Sequence, residues 1–557
     1  MIKSEQYFIL KINVGDIISS GYNLVYSKEQ EEKCLIAESE SSLIYQIEKI
    51  RGRKESFVKE IICVLAKHNK KKWPEYDTLF RNGFFYNGVH YSRLGKSASQ
   101  SKEGVTVFVD SRIYDQIMDI SLLGMKVEGT KLVIPKFESQ RCLIFSNCYL
   151  LKNLKIPYIV IVDEYTKILP AQDVKYAKEV KKENEDGTQY SVREILDGIV
   201  DVKLSPFDGC GVHDKSLGVA AMEAIGLDYR PIGLQIRLPY MKGYSVEFDF
   251  KKFYKEQGID YIKDVLGHKH KVDDIDCIWN TSMFKAYGMF KERYGDYAIE
   301  AYFDKVNEYG FKLGISKYSH HISKINLKAR LNFQYLQCLA LENPRYIEHF
   351  NMLKEDRSHK YDIMDESNDG PIISVAKYST NFFEKVCGGD KAYALKFLGF
   401  NSSEKDEVTS NYIKAILINE DMLKDPSVKR MLKRKAQRFI NQMKIGKIYC
   451  DGFYHTAVGD IIGYLEYVAG KDVKGVLGAG EFYVNTIFEH GEDLLSFRSP
   501  LVCPSEVNKV VVNKKIKYAE YFEHFKGQDV FMLNMYDLTM PQQGGMEYLS
   551  SHMETCG

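Results

Sequence analysis

What the chain lacks first is a charge of one sign: 77 Lys and Arg stand against 76 Asp and Glu, a net charge of +1. No global field draws in nucleic acid, so any basic binding surface has to be local. The 11 cysteines are odd in number and scattered. They contain no C-x-x-C pair, which excludes a disulfide framework or zinc knuckle and points to a reducing, cytoplasmic compartment. No run of about 18 uncharged apolar residues occurs, so no membrane-spanning helix is expected. The first twenty residues, interrupted by Lys11 and Asp16, do not read as a signal peptide. The G-x-G-x-x-G, P-loop and G-x-S-x-G patterns are missing, which removes the main support for dinucleotide, Walker-type and serine-hydrolase readings. His268, His270 and the pair His320 and His321 lack the carboxylate and third-ligand spacing of a zinc enzyme. Asp273, Asp274 and Asp276 read as a solvated acidic turn.

What is present is the composition of a folded protein, 45% hydrophobic and 27% charged. At 557 residues the chain is too long for one core, and roughly three or four domains are expected. The first 80 residues alternate strand-like and helix-like pieces. Residues 83–175 read mostly as β, including KLVIPKF and RCLIFSNCYLL, and residues 176–200 read as two polar helices joined at Asp186-Gly187. A glycine-punctuated turn, LSPFDGCGVHDKSLG, precedes two strands in LQIRLPYMKGYSVEFDF. Helical patterns dominate from about 280 to 440, and β patterns return from 445 to the end.

DPSVKRMLKRKAQRFINQM gives the clearest helix. Asp425 caps it, Pro426 suits its first position, and Val428, Met431, Leu432, Phe439, Ile440 and Met443 recur at helical spacing. Lys429, Arg430, Lys433, Arg434 and Arg438 crowd the other side, a density that exceeds what solubility needs and points to phosphate contact.

Read in order, SPFDGCGVHDKSL with QIRLPYMKGYSV, then LLSFRSPLVCPSEVNKV, then MLNMYDLTMPQQGG resemble the motifs of the two-barrel (double-psi β-barrel) RNA polymerase superfamily. The likeness is nearest to single-chain phage-like enzymes and the eukaryotic-type RNA-dependent polymerases. GVHYSRLGKSASQSKEG is similar to the S-x-S-Q element that those enzymes carry ahead of the first barrel. The resemblance covers about residues 80–545. It implies an α+β fold: an α/β N-terminal region over 1–190, a first, lysine-bearing barrel over 191–280, a helical region with the basic helix over 281–442, and a second, incomplete barrel over 443–557.

The resemblance also implies roles. Adding a nucleotide requires positive charge on the departing triphosphate and metal ions at the reacting oxygens. Lys242 would face the triphosphate or the RNA end, with Gly243 letting backbones pass closely. Lys215 is a further lysine candidate, and Arg498 matches the R-x-P arginine directed at the nucleotide sugar. After Gly544-Gly545 the family carries D-x-D-G-D, which holds catalytic Mg²⁺. Here Glu547, Leu549 and Ser551 occupy the three places, leaving Glu547 as a weak metal candidate. One carboxylate makes a poor magnesium site.

The expectation is therefore a polymerase portion truncated before its metal loop and inactive alone. Its partners would be a DNA or RNA template, ribonucleoside triphosphates and a second polypeptide carrying that loop, with no membrane, in a bacterial or phage-infected cell. The alternative is a non-catalytic nucleic-acid-binding or assembly subunit, or a degenerate relic.

Overall fold

The computed structural model describes residues 5–335, 411–543 and 552–556, apart from 67–72, 128–131, 185–186, 228, 323–327, 445–446, 448, 500 and 502–505. The chain forms two compact units, Met1–Asp163 with Gly209–Ser319, and Glu164–Asp208 with His320–Gly557. The boundaries expected from sequence stood at 190, 280 and 442, whereas the compact units divide at 163, 208 and 319.

The first unit opens with β1 (Gln6–Asn13), β2 (Asn23–Leu24), β3 (Leu35–Ser39), β4 (Phe57–Leu65), β5 (Phe84–Tyr86), β6 (Val89–Gly95) and β7 (Val105–Asp110), ordered β2-β5-β6-β7-β4-β1-β3 in one sheet. Short helices alternate with these strands over residues 14–82, as the pattern predicts. Two later segments expected as strands differ. KLVIPKF contributes to the helix Ile134–Arg141, because Pro135 sits in the first turn, where its fixed φ favours helix and its missing N–H costs nothing. RCLIFSNCYLL gives a 3₁₀ turn, Cys142–Phe145, before the short β8 (Tyr149–Leu150).

The second sheet of this unit combines β8, β9 (Ile159–Val162), β12 (Cys210–His213), β13 (Gly233–Leu238), β14 (Met241–Glu247), β17 (Cys277–Asn280) and β18 (Gly314–Tyr318) in the order β8-β18-β13-β14-β12-β17-β9. A small hairpin, β15 (Tyr261–Lys263) and β16 (Lys269–Lys271), stands beside it. One continuous apolar core, from Tyr7 and Val109 to Trp279, Phe284 and Ile315, binds both sheets into a single body.

Where two polar helices were expected over 176–200, the second unit has a long antiparallel ribbon, β10 (Lys167–Glu183) with β11 (Gln189–Leu204). Its period of two is present in Val192, Leu196, Val200 and Val202, which share one face, but Lys178 and Glu194 interrupt that face. The turn carries the missed signal, since Asp-Gly is a hairpin dipeptide. Gly187 takes φ +79°, and Asn184 N donates to Thr188 O at 2.9 Å. At the ribbon's base, Tyr165 packs on Phe207 and Tyr467, Phe207 on Tyr464, and Lys167 Nζ lies 3.7 Å above the Tyr536 ring.

The second unit's sheet holds β19 (Lys328–Arg330), β20 (Tyr449–Gly459), β21 (Glu481–Val484), β22 (Asp493–Arg498), β23 (Asn508–Val512), β24 (Val530–Leu533) and β25 (His552–Cys556), ordered β19-β20-β24-β21-β23-β22-β25. Strands were expected in the segments of β20, β21, β23 and β24. β25 pairs with β22 on one side and with β20 on the other. Six strands thus close into a ring, and closure leaves no open edge among them. Of the region expected to be helical, residues 336–410 lie outside the described residues. The described part holds the helices Tyr287–Tyr294, Ala298–Glu308, Asn411–Ile418 and Pro426–Lys444, with β18 and β19 among them.

Candidate nucleotide and nucleic-acid site

The D-G-C-G turn explains why glycine stands where two strands approach closely. Gly209 adopts φ +63°, and its N–H donates to Ser282 Oγ at 2.6 Å. Its carbonyl accepts from Tyr244 N at 2.8 Å. A Cβ on Gly243 would stand 2.3 Å from Met283 Cε and 2.9 Å from the Gly209 carbonyl oxygen, and a Cβ on Gly211 would stand 2.5 Å from the Trp279 ring. Beside Gly243, Lys242 donates its backbone N–H to Met283 O at 3.0 Å and is half-buried.

Register then gathers cations around Lys242. In the hairpin β13–β14, Arg237 lies directly opposite Lys242, and Gln235 opposite Tyr244. On the other side of β13, Lys317 of β18 lies opposite Gln235. Directly opposed residues share a face of the sheet, so Gln235, Arg237, Lys242 and Lys317 lie on one face. Burial pulls the Arg237 guanidinium down to about 10. Burial and the Arg237 charge together hold the Lys317 ammonium below its usual range. Gln235 Oε1 accepts from Ser316 Oγ at 3.0 Å. Such a poorly hydrated cationic face attracts phosphate groups more strongly than an exposed one. Arg237 stands inside the QIR motif, whereas Lys317 carries no local signal, because β18 joins the sheet from about 80 residues away.

Lys215 is not brought to this group. It is the exposed first residue of the helix Lys215–Ile225, just past the end of β12, whereas Lys242 is the second residue of β14. Since β12 and β14 run parallel, with Cys210 beside Tyr244 and His213 beside Glu247, the two lysines stand at opposite ends of the pair. Asp214 caps that helix, its Oδ1 accepting from Ser216 N at 2.8 Å and Leu217 N at 3.3 Å, and pairs with Lys251 at 2.8 Å. The S-x-S-Q element is a capping box: Ser97 Oγ accepts from Gln100 N at 3.3 Å, and Gln100 Oε1 accepts from Ser97 N at 2.9 Å. Its visible role is to start the helix Ala98–Glu103.

In the second unit, Arg498 ends β22 and is half-buried. Phe497 before it is buried and stacks on Tyr335 at 4.8 Å. Ser496, two residues back on the same face, accepts a hydrogen bond at 3.2 Å from Nε2 of the buried Gln543. That bond ties β22 to the segment that leads into Gly544.

Two carboxylates of this unit are held largely by backbone N–H groups. Asp537 Oδ2 accepts from Gly480 N and from Asn534 Nδ2, and its Oδ1 accepts from Thr539 N at 2.9 Å. Asp460 is fully buried. Its Oδ1 accepts from Gly463 N at 3.2 Å and its Oδ2 from Val476 N at 2.6 Å and Leu477 N at 3.0 Å. Burial pushes its carboxyl up to about 6 although these three donors pull it down. Glu547 lies outside the described residues. Among the described residues no group of three or more His, Cys, Asp or Glu converges as a metal site. The described donors do not fit magnesium.

The basic helix Pro426–Lys444 forms as expected. Asp425 Oδ1 accepts from Ser427 N at 2.8 Å and Val428 N at 3.0 Å, Val428 and Leu432 are buried, and Met431 is half-buried. Arg430, Arg434 and Arg438 are exposed and Lys429 is half-buried. The side chains of Lys433, Phe439, Ile440 and Met443 lie outside the description. The set-aside histidines have structural partners. His268 Nδ1 and His270 Nε2 approach Asp264 Oδ2 at 3.3 and 3.0 Å, and Tyr158 Oη lies 2.7 Å from His270 Nδ1. The carboxylate that the sequence spacing did not supply is thus Asp264, four and six residues upstream. In the acidic turn, Asp273 pairs with Lys271 at 3.4 Å, and Asp276 accepts from Tyr158 N at 2.8 Å.

An α+β fold with two curled sheets is the fold of the two-barrel RNA polymerases, and these motifs in this order are similar to theirs. In structure it is similar to the RNA dependent RNA polymerase QDE-1 from Thielavia terrestris, with a TM-score of 0.53 and 14% identity, over 100% of this chain and 54% of that one. In sequence it is similar to the DNA-directed RNA polymerase YonO of Bacillus phage SPbeta, 24% identical over 463 residues, 81% of this chain and 46% of that protein. The chain therefore spans about half the length of each. No protein-family model matches it. No described helix is long and apolar enough to cross a membrane.

Proposed function

We propose that the chain takes part in template-directed addition of ribonucleotides, with Lys242 facing the triphosphate, Arg498 directed at the nucleotide sugar and the basic helix holding a DNA or RNA template. The observation that carries this reading is the cationic face on which Lys242 and Arg237 oppose each other, with Gly243 close-packed at their side. A leaving triphosphate needs preorganised positive charge of this kind. Lys215, at the far end of the parallel strand pair, keeps at most a peripheral part. The reaction would use Mg²⁺ held by ligands on a second polypeptide, in a bacterial or phage-infected cell.

A second reading, a non-catalytic nucleic-acid-binding or assembly subunit, is favoured by one observation: Asp460 and Asp537 are both occupied by backbone N–H groups, so neither replaces the missing aspartates. Extension of a primer or template with ribonucleotides and Mg²⁺ separates the two. The chain is assayed alone and with any polypeptide encoded immediately downstream. Product that falls by about a hundredfold or more in Lys242→Ala supports the polymerase reading. Bound nucleic acid with no product in either mixture supports the binding subunit.

A further inference from the structure

The helix Pro426–Lys444 has an unusual charge inventory. Its 19 residues include seven Lys or Arg and no Asp or Glu. Arg430, Arg434 and Arg438 recur every four residues, so they run along one exposed side, opposite the buried Val428 and Leu432. Each step climbs about 6 Å along the axis. That repeat is commensurate with successive phosphates along one strand, not with the paired edges of bases in a groove. Arg430 Nη2 donates to Ser427 Oγ at 3.2 Å, and none of the three arginines forms an ion pair among the described residues. Lys435, on the apolar side, is half-buried. Burial and the Arg438 charge both hold its ammonium below the usual range.

This arrangement opposes itself. Like charges at i and i+4 destabilise a helix, and cations crowded near the N-terminal end also oppose the helix dipole. Two things hold it together: the Asp425 cap, which places a carboxylate at that N-terminus, and the two buried side chains. A chain of phosphates laid along the arginine row removes the repulsion.

We infer that this helix lies along a single phosphate backbone, binds it without regard to base sequence, and is itself stabilised by that strand. The inference rests on the reading of this protein as a nucleic-acid-binding member of its superfamily and names the mode of contact. It gives two salt dependences of opposite sign. Without nucleic acid, salt screens the repulsion and firms the helix. With nucleic acid, salt releases the strand and loosens it.

The test uses the full chain, a labelled single-stranded oligonucleotide of mixed sequence, a second of unrelated sequence, and KCl from 50 to 500 mM. Backbone binding predicts that replacing Arg430, Arg434 and Arg438 together by Gln lowers the slope of log Kd against log salt by about 2, from roughly 0.7 per lost contact. Both oligonucleotides should be affected equally. The triple Lys variant should keep most of the slope, which shows that loss in the Gln variant is not misfolding. Amide exchange over 426–444 should slow with added KCl in the free protein and quicken in the complex. An unchanged slope in the Gln variant while the wild type binds overturns the inference and takes the basic helix out of the proposed function, leaving the part of that reading that rests on Lys242 intact. A loss confined to one oligonucleotide overturns it in favour of base readout. A wild type that binds neither oligonucleotide overturns both.

Discussion

At the scale of single residues, two positions test the packing that frames the site. Gly243→Ala places its methyl 2.3 Å from Met283 Cε and 2.9 Å from a carbonyl oxygen that cannot move without shifting the D-G-C-G turn. A loss of about 1–3 kcal/mol is expected from such overpacking, and urea midpoints at fixed pH measure it. Gly288→Ala is the control. It lies in the helix Tyr287–Tyr294 with nothing within 4 Å of the added carbon, and it should gain up to about 1 kcal/mol. Asp460 gives a pH dependence. Its carboxyl sits at about 6 in the fold against an ordinary 3.8, so the fold holds its proton more tightly than the unfolded chain does. Its contribution is full below about 3.8 and is lost as pH rises through about 6, a change of about 3 kcal/mol. Asp460→Asn removes that titration and turns an NH₂ toward backbone donors. The wild type's advantage over the variant should therefore shrink between pH 4.5 and 7, and an advantage that stays constant would disprove the shift.

At the scale of elements, the basic helix and the ribbon differ in what sustains them. Asp425→Ala removes the cap of a helix that repels itself, at an expected cost of about 1 kcal/mol. Circular dichroism and exchange over 426–444 report it, and added nucleic acid should restore most of the loss. The ribbon β10–β11 carries Val174, Tyr176, Val180, Val192, Leu196 and Val200 half-buried on one face and Ile195 and Ile199 exposed on the other, and its base rests on Tyr165, Phe207, Tyr464 and Tyr467. Phe207→Ala should loosen the ribbon's attachment and raise exchange over 167–204 more than elsewhere in that unit.

At the scale of the whole molecule, closure of the second barrel is the decisive feature. A chain ending at Ser550 loses β25 and opens the edges of β20 and β22, which β25 pairs. Open edges invite pairing between chains. The shortened protein should aggregate in size-exclusion chromatography while the full chain elutes as a discrete species. Thiol chemistry offers a second check. Of the six cysteines with described side chains, five are buried and Cys34 is half-buried. Burial pushes the Cys148 thiol up to about 12. Cys34 should be alkylated first among them at pH 8.

The sequence alone determined the features written in local chemistry. The basic helix was legible because cap, proline and periodicity fall within 20 residues, and the strands β13, β14, β20, β21, β23 and β24 because each is a short β-branched or aromatic run between turns. The ordered motifs carried the resemblance to the two-barrel polymerases, since glycines and charged residues at fixed turns leave a linear trace. Only the tertiary structure decided the rest. A closing strand such as HMETC is defined by its partners' free edges rather than by its own residues. The cationic face needs Lys317 beside Gln235 and Arg237 beside Lys242. The hairpin pair is five residues apart and readable in principle. The other pair is brought together by sheet register across about 80 residues, and register is a property of the folded sheet that no single segment of sequence carries.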